Sequence, residues 1–363
     1  MCIVSFPIGK AFTTPVSNLS AILSELYPTQ VIIGSYDPVC VPENSSLKVH
    51  SISHRSGPVK SVQVLRFAWL NLQILLKLFS LRKLHGRVLF FTSLCPVFPM
   101  VFSVVSGKKI YWMLPSENVH NSQGLFSGLV TVLSHIGFRL STGIILYSPG
   151  LITEWHLEPY RDKILIAHEH FIQTSTFTVT TPFPERPLRI GYIGRFSEEK
   201  GIGNFIRAIP EILNEHEGLR VFIGGDGQVK ETVVTFLKEQ GLLARVDLPG
   251  WIAHDDLPAH LNTLRLLVLP STTEGLPNIM LEAMACGTPV LATPVGAVPD
   301  SIKEGETGFI MKNNSPECIA ENINRALKDP NSANIALNGR KLVEQEFTFE
   351  MTVKHWEKVL DTL

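Results

Sequence analysis

The chain has 363 residues, of which 45% are hydrophobic and 18% charged, with a formal net charge of −1. One hydrophobic core rarely organises that length, so two domains are expected, and the composition excludes a disordered, fibrous or low-complexity protein. The near-neutral total conceals an asymmetry: residues 1–165 hold 14 Lys or Arg against 7 Asp or Glu, and the rest hold 18 against 26, which favours an anionic partner or membrane surface for the first half, with plain solvated charge as the alternative.

In chain order, the start MCIVSFPIGK lacks the basic beginning and long apolar core of a signal peptide, and CIVSF reads as a first strand. A helix is expected from about Val16 to Leu26, followed by the strand VIIGS. Residues 62–84 form a long amphipathic helix, with Gln63, Arg66, Gln73 and Lys77 on one side and Leu, Phe and Trp elsewhere. Packing into the domain core is its expected role; its cationic face leaves a membrane-surface role open. Val88 to Ser106 carries no charge over nearly the length of a membrane span. Pro96 and Pro99 interrupt it, so a strand (Val88 to Phe91), a turn and a short buried helix are expected. KIYWML and GIILYS read as further strands. The five cysteines, Cys2, Cys40, Cys95, Cys286 and Cys318, are scattered and odd in number, which predicts neither disulfides nor zinc and fits a reducing cytoplasm.

The stretch TSTFTVTTPFPERP, residues 174–187, is Thr/Pro-rich and unpatterned and reads as an interdomain linker. Beyond it, RIGYI (189–193), LRVFI (219–223), VDLPG (246–250), LRLLVL (264–269), PVLA (289–292) and GFIM (308–311) alternate with helical patterns. Such alternation predicts βα units on a parallel sheet covered on both faces. The expected division is a Rossmann-like domain over 1–173, the linker over 174–187, a second Rossmann-like domain over 188–346, and a terminal helix over 347–363. That helix has no strand to follow and is free to return to the first domain.

Ligands of open parallel sheets bind beyond the carboxyl ends of the strands, and the chemistry-bearing residues fall there. RIGYI is followed by Gly194, Arg195, Phe196, Ser197, Glu198, Glu199, Lys200 and Gly201. Glycine permits close backbone approach, and two cations suit a diphosphate, although Arg and Lys in a loop commonly only solvate it. LRVFI is followed by Gly224-Gly225-Asp226-Gly227, which either lines a ligand or makes a tight turn. After LRLLVLP come Ser271 to Gly275, with Pro277 suited to the first helical position and Asn278 to Cys286 continuing the helix. Glu274 then sits at the mouth of that helix and Glu282 one turn below Asn278 on the same face. Singly, Glu274 is explained by the helix dipole and Glu282 by a structural ion pair. Together, with the glycines and the basic loop, they point to a polyhydroxylated ligand such as a sugar and a ribose, because carboxylates only accept hydrogen bonds. Neither GxGxxG nor GxxxxGK[ST] occurs, which argues against nicotinamide and P-loop sites.

GYIGRFSEEKG, IGGDG and above all PSTTEGLPNIMLEAMACGTPVLAT resemble the retaining GT-B glycosyltransferases, the group 1, family-4-like enzymes that include bacterial and archaeal mannosyl- and glucosyltransferases. The resemblance runs from about Arg189 to the end, and its most specific element is the Glu, seven residues, Glu signature at Glu274 and Glu282. It implies an α/β GT-B fold of two facing Rossmann-like domains with parallel sheets, the second holding a nucleoside diphosphate sugar. By motif position, Arg195 and Lys200 would bind the diphosphate, Glu282 the ribose hydroxyls and Glu274 the transferred sugar; Arg195, Lys200 and Glu274 are the catalytic candidates. Gly194 and backbone groups of Gly275, Leu276, Pro277 and Asn278 would contact donor phosphate or sugar. The loops holding Gly224, Gly225, Gly227, Trp251 and Ile252 would surround the base. No metal or cofactor is implied, since fixed cations and helix N–H groups can take the charge that develops on the diphosphate. The sequence has no Asp-x-Asp pair, and HDDLP (254–258) reads as a helix start.

Two departures from that family stand out. A His-Asp or similar pair commonly follows the strand corresponding to KIYWML; here the chain runs Pro115, Ser116, Glu117, Asn118, Val119, His120, leaving His120 as an acceptor-side candidate from a displaced position. The usual Pro-Asn-Gly at the domain junction is replaced by IAHEHFI (166–172), where His168 and His170 flank Glu169. Histidines at i and i+2 of an extended run point the same way without further ligands, so no metal is expected there. The expected activity is sugar transfer to a glycan or lipid-linked acceptor held by the basic N-terminal domain, with cleft closure excluding water. The expected setting is the cytoplasm or the inner face of its membrane, with peripheral membrane association and no nucleic-acid partner. A nucleotide-sugar epimerase, a glycosyl phosphorylase and a non-catalytic nucleotide-sugar-binding partner are the alternatives on the same architecture.

Overall fold

The computed structural model describes residues 1–8, 13–35, 41, 43–53, 60–83, 86–114 and 125–362. The chain divides into two compact units, Met1–His170 with Glu350–Leu363, and Phe171–Phe349.

The first unit is built on seven strands: β1 (Cys2–Ile8), β2 (Thr29–Ser35), β3 (Leu47–Ser53), β4 (Arg87–Phe91), β5 (Lys109–Met113), β6 (Gly143–Leu146) and β7 (Ile164–Ile166). All pairs are parallel, in the order β3-β2-β1-β4-β5-β6-β7. Ile3, Val4, Val31, Ile32, Leu89, Phe90, Tyr111 and Trp112 are fully or almost fully buried, which is why these strands read as continuous apolar runs rather than alternating ones. The connecting helices are α1 (Thr13–Leu26), α2 (Lys60–Leu81), α3 (Val97–Val105), α4 (Leu125–Leu140) and α5 (Gly150–Glu154).

Residues 88–106 divide into β4, a turn and α3, but α3 buries only one side, through Pro99, Met100 and Ser103. The long helix also differs from its sequence reading. Leu70, Ile74, Leu78 and Leu81 of α2 are buried, while Leu65, Trp69, Leu72, Leu76 and Phe79 on its other side are exposed. It therefore carries two apolar faces, with Arg66 and Lys77 between them rather than opposite the core.

The last helix, α13 (Phe349–Asp361), belongs to this unit from Glu350 onward. Three of its side chains bond alternate carbonyls of the chain that continues from edge strand β7. His355 Nε2 lies 2.8 Å from Ile166 O, Trp356 Nε1 donates to His168 O at 2.8 Å, and Thr352 Oγ1 donates to His170 O at 3.2 Å. Carbonyls two residues apart in an extended run face one way, so a single helix satisfies an edge that would otherwise be open. The intervening Glu169 points elsewhere and is buried, accepting from Tyr147 Oη at 3.0 Å, with His170 Nδ1 at 4.0 Å from its other oxygen.

The second unit carries β8 (Arg189–Ile193), β9 (Arg220–Gly224), β10 (Val246–Gly250), β11 (Leu266–Leu269), β12 (Val290–Ala292) and β13 (Phe309–Ile310), parallel in the order β10-β9-β8-β11-β12-β13. Helices α6 (Ile202–Glu215), α7 (Lys230–Glu239), α8 (Leu257–Leu261), α9 (Asn278–Ala285), α10 (Val298–Ser301), α11 (Pro316–Lys328) and α12 (Ser332–Glu346) connect them. The core joins Phe205, Ile209 and Ile212 of α6 to Ile223, Val268 and Ile319; burying each such side chain contributes roughly 1.5–3 kcal/mol.

Residues 174–187 pack into this unit rather than forming a free linker. Asn262 accepts from Thr180 N and Thr181 N and donates to Thr178 O. Arg186 is buried and donates to Thr181 O, Leu264 O, Cys286 O and Thr288 Oγ1 at 2.6–3.0 Å. Burial pushes its guanidinium down to about 10, against the opposing effect of Cys286. Thr and Pro remove regular structure here without removing partners.

Burial pushes the Glu169 carboxyl from 4.5 up to about 7, against the pull of a backbone N–H and the Tyr147 hydroxyl. Between those values the folded chain holds a proton that the unfolded chain has released, so this group makes stability fall as pH rises. Glu169→Gln removes the effect: the stability of the variant minus that of the parent is expected to rise between pH 4.5 and about 7, by up to about 3 kcal/mol. Denaturant midpoints at a series of pH values measure it, and a difference independent of pH would show that the carboxyl titrates normally.

Candidate active site

Strands β10, β9, β8 and β11 lie side by side and parallel, so the loops that leave them share one edge of the second sheet. Every candidate residue of the second half is at the end of one of these strands, on the loop that leaves it or in the helix that follows. The loops are joined through backbone. Gly194 N donates to Gly224 O at 3.0 Å, Phe196 N to Asp226 O at 2.8 Å, Gly225 N to Gly250 O at 2.7 Å, and Thr272 N to Glu199 O at 2.8 Å.

Two glycines make this closeness possible. Gly201, at φ 71°, enters α6 with no room for a Cβ, which would overlap the carbonyl oxygen of Pro270 at the end of β11. Gly225, at φ 136°, lies against Gly194 O in the same way. The Gly-Gly-Asp-Gly cluster thus packs loop on loop. Gly224 abuts the Ile252 side chain, Gly227 N donates to Asp226 Oδ1 at 2.8 Å, and Asp226 pairs with Lys230 at 2.6 Å on the surface. Trp251, next to Gly250, is 73% exposed.

The closeness of the β8 and β11 loops brings two of the candidates together. Lys200 Nζ donates to Glu274 Oε1 at 2.7 Å, and Ser271 Oγ donates to the same oxygen at 2.7 Å. The two charged side chains are 25% and 11% exposed, so the pair is partly shielded from solvent. Arg195 instead lies 3.3 Å from Glu199 on its own loop, and both are well exposed. Partial burial pushes Glu199 up, but the hydrogen bonds from Ser197 and its own backbone, with Arg195 and Lys200, hold it below the ordinary carboxylate range. Burial raises the Tyr192 hydroxyl, and the nearby Glu274 and Glu199 carboxylates raise it further; that hydroxyl donates to Arg195 O at 2.8 Å.

Pro277 occupies the N-cap of α9, with an extended ψ of 118°, one position earlier than the first helical turn, and Cys286 caps the other end. Its carbonyl accepts from Met280 N at 3.1 Å, and no side chain caps the helix. Gly275, Leu276 and Pro277 are buried and Asn278 is exposed; Ala297 N fixes Gly275 O at 2.7 Å. Uncapped first-turn amides are donors for an anion.

Glu282 is the polar member of a helix buried on all sides from Met280 to Ala285. Its Oε1 lies 3.0 Å from His254 Nε2. His254 stands in the short turn His254–Asp256 before α8, with its ring centroid 5.2 Å from that of Phe177. The hydrogen bond to Glu282, with the Glu282 and Asp255 charges, raises its pKa against the effect of partial burial. HDDLP does start a helix, but the sequence reading missed His254 as the partner of Glu282. The two are 28 residues apart, and no spacing rule connects a loop after β10 with a helix after β11.

Glu274 and Glu282 therefore take different partners, Lys200 and His254. His120, with Pro115 to Val119, lies outside the described residues. Among the described residues no group of three or more His, Cys, Asp or Glu is arranged to hold a metal ion, and no helix is long and apolar enough to cross a membrane.

Residues 175–342 match the family model "Glycosyl transferases group 1". The chain is 29% identical over 176 residues to the 2-deoxystreptamine glucosyltransferase of Streptomyces kanamyceticus, covering 47% of this chain and 46% of that protein. It is 29% identical over 177 residues to the capsular polysaccharide biosynthesis glycosyltransferase CapM of Staphylococcus aureus, covering 48% and 46%. The chain thus spans about half the length of the curated relatives it matches. The fold is that of Anabaena HepE crystallised with UDP, at a TM-score of 0.79 and 17% identity over 100% of both chains. Residues 175–342, which carry the candidate site, are thus similar to the glycosyl transferases group 1 family, within a chain of GT-B fold.

Proposed function

We propose that the protein is a retaining, metal-independent glycosyltransferase that moves a sugar from a nucleoside diphosphate donor to a glycan or lipid-linked acceptor. The observation that carries this reading is the Lys200–Glu274 pair, set at the carboxyl edge of the sheet beside the uncapped start of α9. A cation already oriented by a carboxylate, with helix amides at hand, is an arrangement that stabilises charge developing on a departing diphosphate. HepE, which shares the fold, has been crystallised with UDP and with UDP-glucose, and the relatives above are named as glycosyltransferases.

In this reading Lys200 and Arg195 hold the diphosphate, and Glu274 orients Lys200 while accepting from a hydroxyl of the transferred sugar. A carboxylate offers about four acceptor positions. Glu282, with one oxygen held by His254, retains capacity for the ribose hydroxyls. Gly194 and the Gly275 to Asn278 backbone approach the phosphates and sugar, and Trp251, Ile252 and the Gly224 to Gly227 loop flank the base.

A ligand that binds only the folded state raises its melting temperature. In a panel of UDP-, GDP-, ADP- and TDP-sugars, one nucleotide series is expected to do so, and Glu282→Ala is expected to lose that shift. Arg195→Ala and Lys200→Ala are expected to keep most of the shift while losing turnover, Lys200→Ala by about 100- to 1,000-fold, the cost of removing one donor to a developing anion. Shifts and rates equal to the parent's in all three variants would refute the residue assignment, and donor shifts without turnover in the presence of a broad acceptor pool would point to a binding protein. Turnover in excess EDTA is expected to equal turnover without it; a loss restored by added Mg²⁺ or Mn²⁺ would overturn metal independence.

A further inference from the structure

Exposed apolar side chains scattered singly are ordinary, whereas a concentration of them on neighbouring elements marks an interaction surface. Of the seventeen large hydrophobic residues exposed among the described residues, eleven lie on α2, α3 and α4. These three helices follow β3, β4 and β5, and α3 packs against both of the others, so they form one continuous layer.

On α2, Leu65, Trp69, Leu72, Leu76 and Phe79 are 42–71% exposed, and at 3.6 residues per turn they share an arc of about 80° opposite the buried face. Beside them on α3 are Phe98 at 71% and Val105 at 81% exposure, with Val101 and Val104 between. The Phe79 and Phe102 rings, 6.1 Å apart, join the two helices. Val132 and Ile136 extend the surface one turn apart on α4.

The charge of this layer has one sign. Between Glu43 and Glu117 the sequence carries ten Lys or Arg and no Asp or Glu, and between Glu117 and Glu154 its one charged residue is Arg139. Cations follow the C-terminal ends of all three helices: Arg82 and Lys83 after α2, Lys108 and Lys109 after α3, and Arg139 in the last turn of α4. The Arg82 guanidinium lies 4.1 Å above the Phe79 ring, with the charged head of a long side chain at the border of the apolar stripe.

A second copy of the chain docked face to face would set these cations against one another with no carboxylate to offset them. An anionic lipid surface meets both properties at once, since it takes apolar side chains into its acyl boundary and cations onto its headgroups. Trp69 is the residue type suited to that boundary. We propose that the outer face of α2, α3 and α4 docks the first unit on a lipid bilayer bearing anionic headgroups. This goes beyond the assignment of glycosyl transfer and does not rest on it.

Cosedimentation of the full chain with vesicles of phosphatidylglycerol and of phosphatidylcholine tests the proposal. Binding to phosphatidylglycerol is expected to be at least about tenfold tighter and to weaken with added salt. The triple variant Trp69→Ser, Leu76→Ser, Phe98→Ser removes exposed apolar area alone and is expected to bind about tenfold or more weaker. The pair Arg82→Glu, Lys83→Glu is expected to lose a similar factor. Because all five side chains are exposed, the melting temperatures of both variants are expected to match the parent's, which separates lost docking from lost folding. The proposal is overturned if the parent stays in the supernatant with both vesicles at low salt, or if the triple variant binds like the parent. It is equally overturned if the parent is a dimer that the triple variant renders monomeric.

Discussion

The geometry of the second unit depends on the approach of one carbonyl, that of Pro270, to one residue without a side chain, Gly201. That approach lets the loops after β8 and β11 lie in backbone contact, so that Thr272 N reaches Glu199 O and Lys200 reaches Glu274 across 74 positions of sequence. Similar backbone bonds run from the β8 loop to the β9 loop and from there to β10. A site whose loops are tied through their own peptide groups does not rely on flexible side chains to set its dimensions. The charged side chains Lys200 and Glu274 are carried on that fixed frame.

The same frame settles how carboxylates are tolerated at and below the surface. An unpaired buried charge is costly, and breaking a buried pair leaves that cost uncompensated. Glu274 meets Lys200 and Ser271, and Glu282, enclosed by the apolar residues of α9, meets His254 at the end where the helix faces the β10 loop. The two pairs differ in surroundings. Lys200 and Glu274 are both mostly shielded, whereas His254 is 64% exposed and Glu282 is not. Under the proposed function, a shielded pair would hold its orientation as the donor arrives, and a partner standing in solvent would yield when hydroxyls bind to the carboxylate.

These differences also mark what could be read from the chain. The strands of the second sheet were legible because each is a short apolar run closed by glycine, proline or a polar turn, as RIGYI before Gly194 and LRVFI before Gly224. Glu274 and Glu282 were legible as a pair because only seven residues of one loop and helix separate them. Their partners were not, since Lys200 and His254 arrive through strand order, with β11 beside β8 and β10 two places further on. Pro277 was placed one position too far into the helix: its ring fixes φ alone, and ψ stayed extended. Residues 174–187 were unpatterned in sequence because their order comes from Asn262 and Arg186, two buried polar side chains that composition cannot distinguish from surface ones.

Helix α2 shows a different limit. Periodicity reports that apolar residues cluster on a helix, but a helix apolar on two sides has no unique inward direction, and only the packed sheet decides that Leu70, Ile74 and Leu78 go in while Trp69, Leu72 and Leu76 stay out. In the second unit the choice is unambiguous, because α11 sets Glu317, Glu321, Arg325 and Lys328 against its buried Ile319 and Ile323. The first unit lacks that contrast over a whole layer of helices, and it lacks acids there too. Two parallel sheets built by the same rules thus present different surfaces. In one unit polarity is spent on the strand ends, where charges pair across loops; in the other the covering helices are left apolar and cationic toward solvent, a state that costs solubility unless another surface covers it.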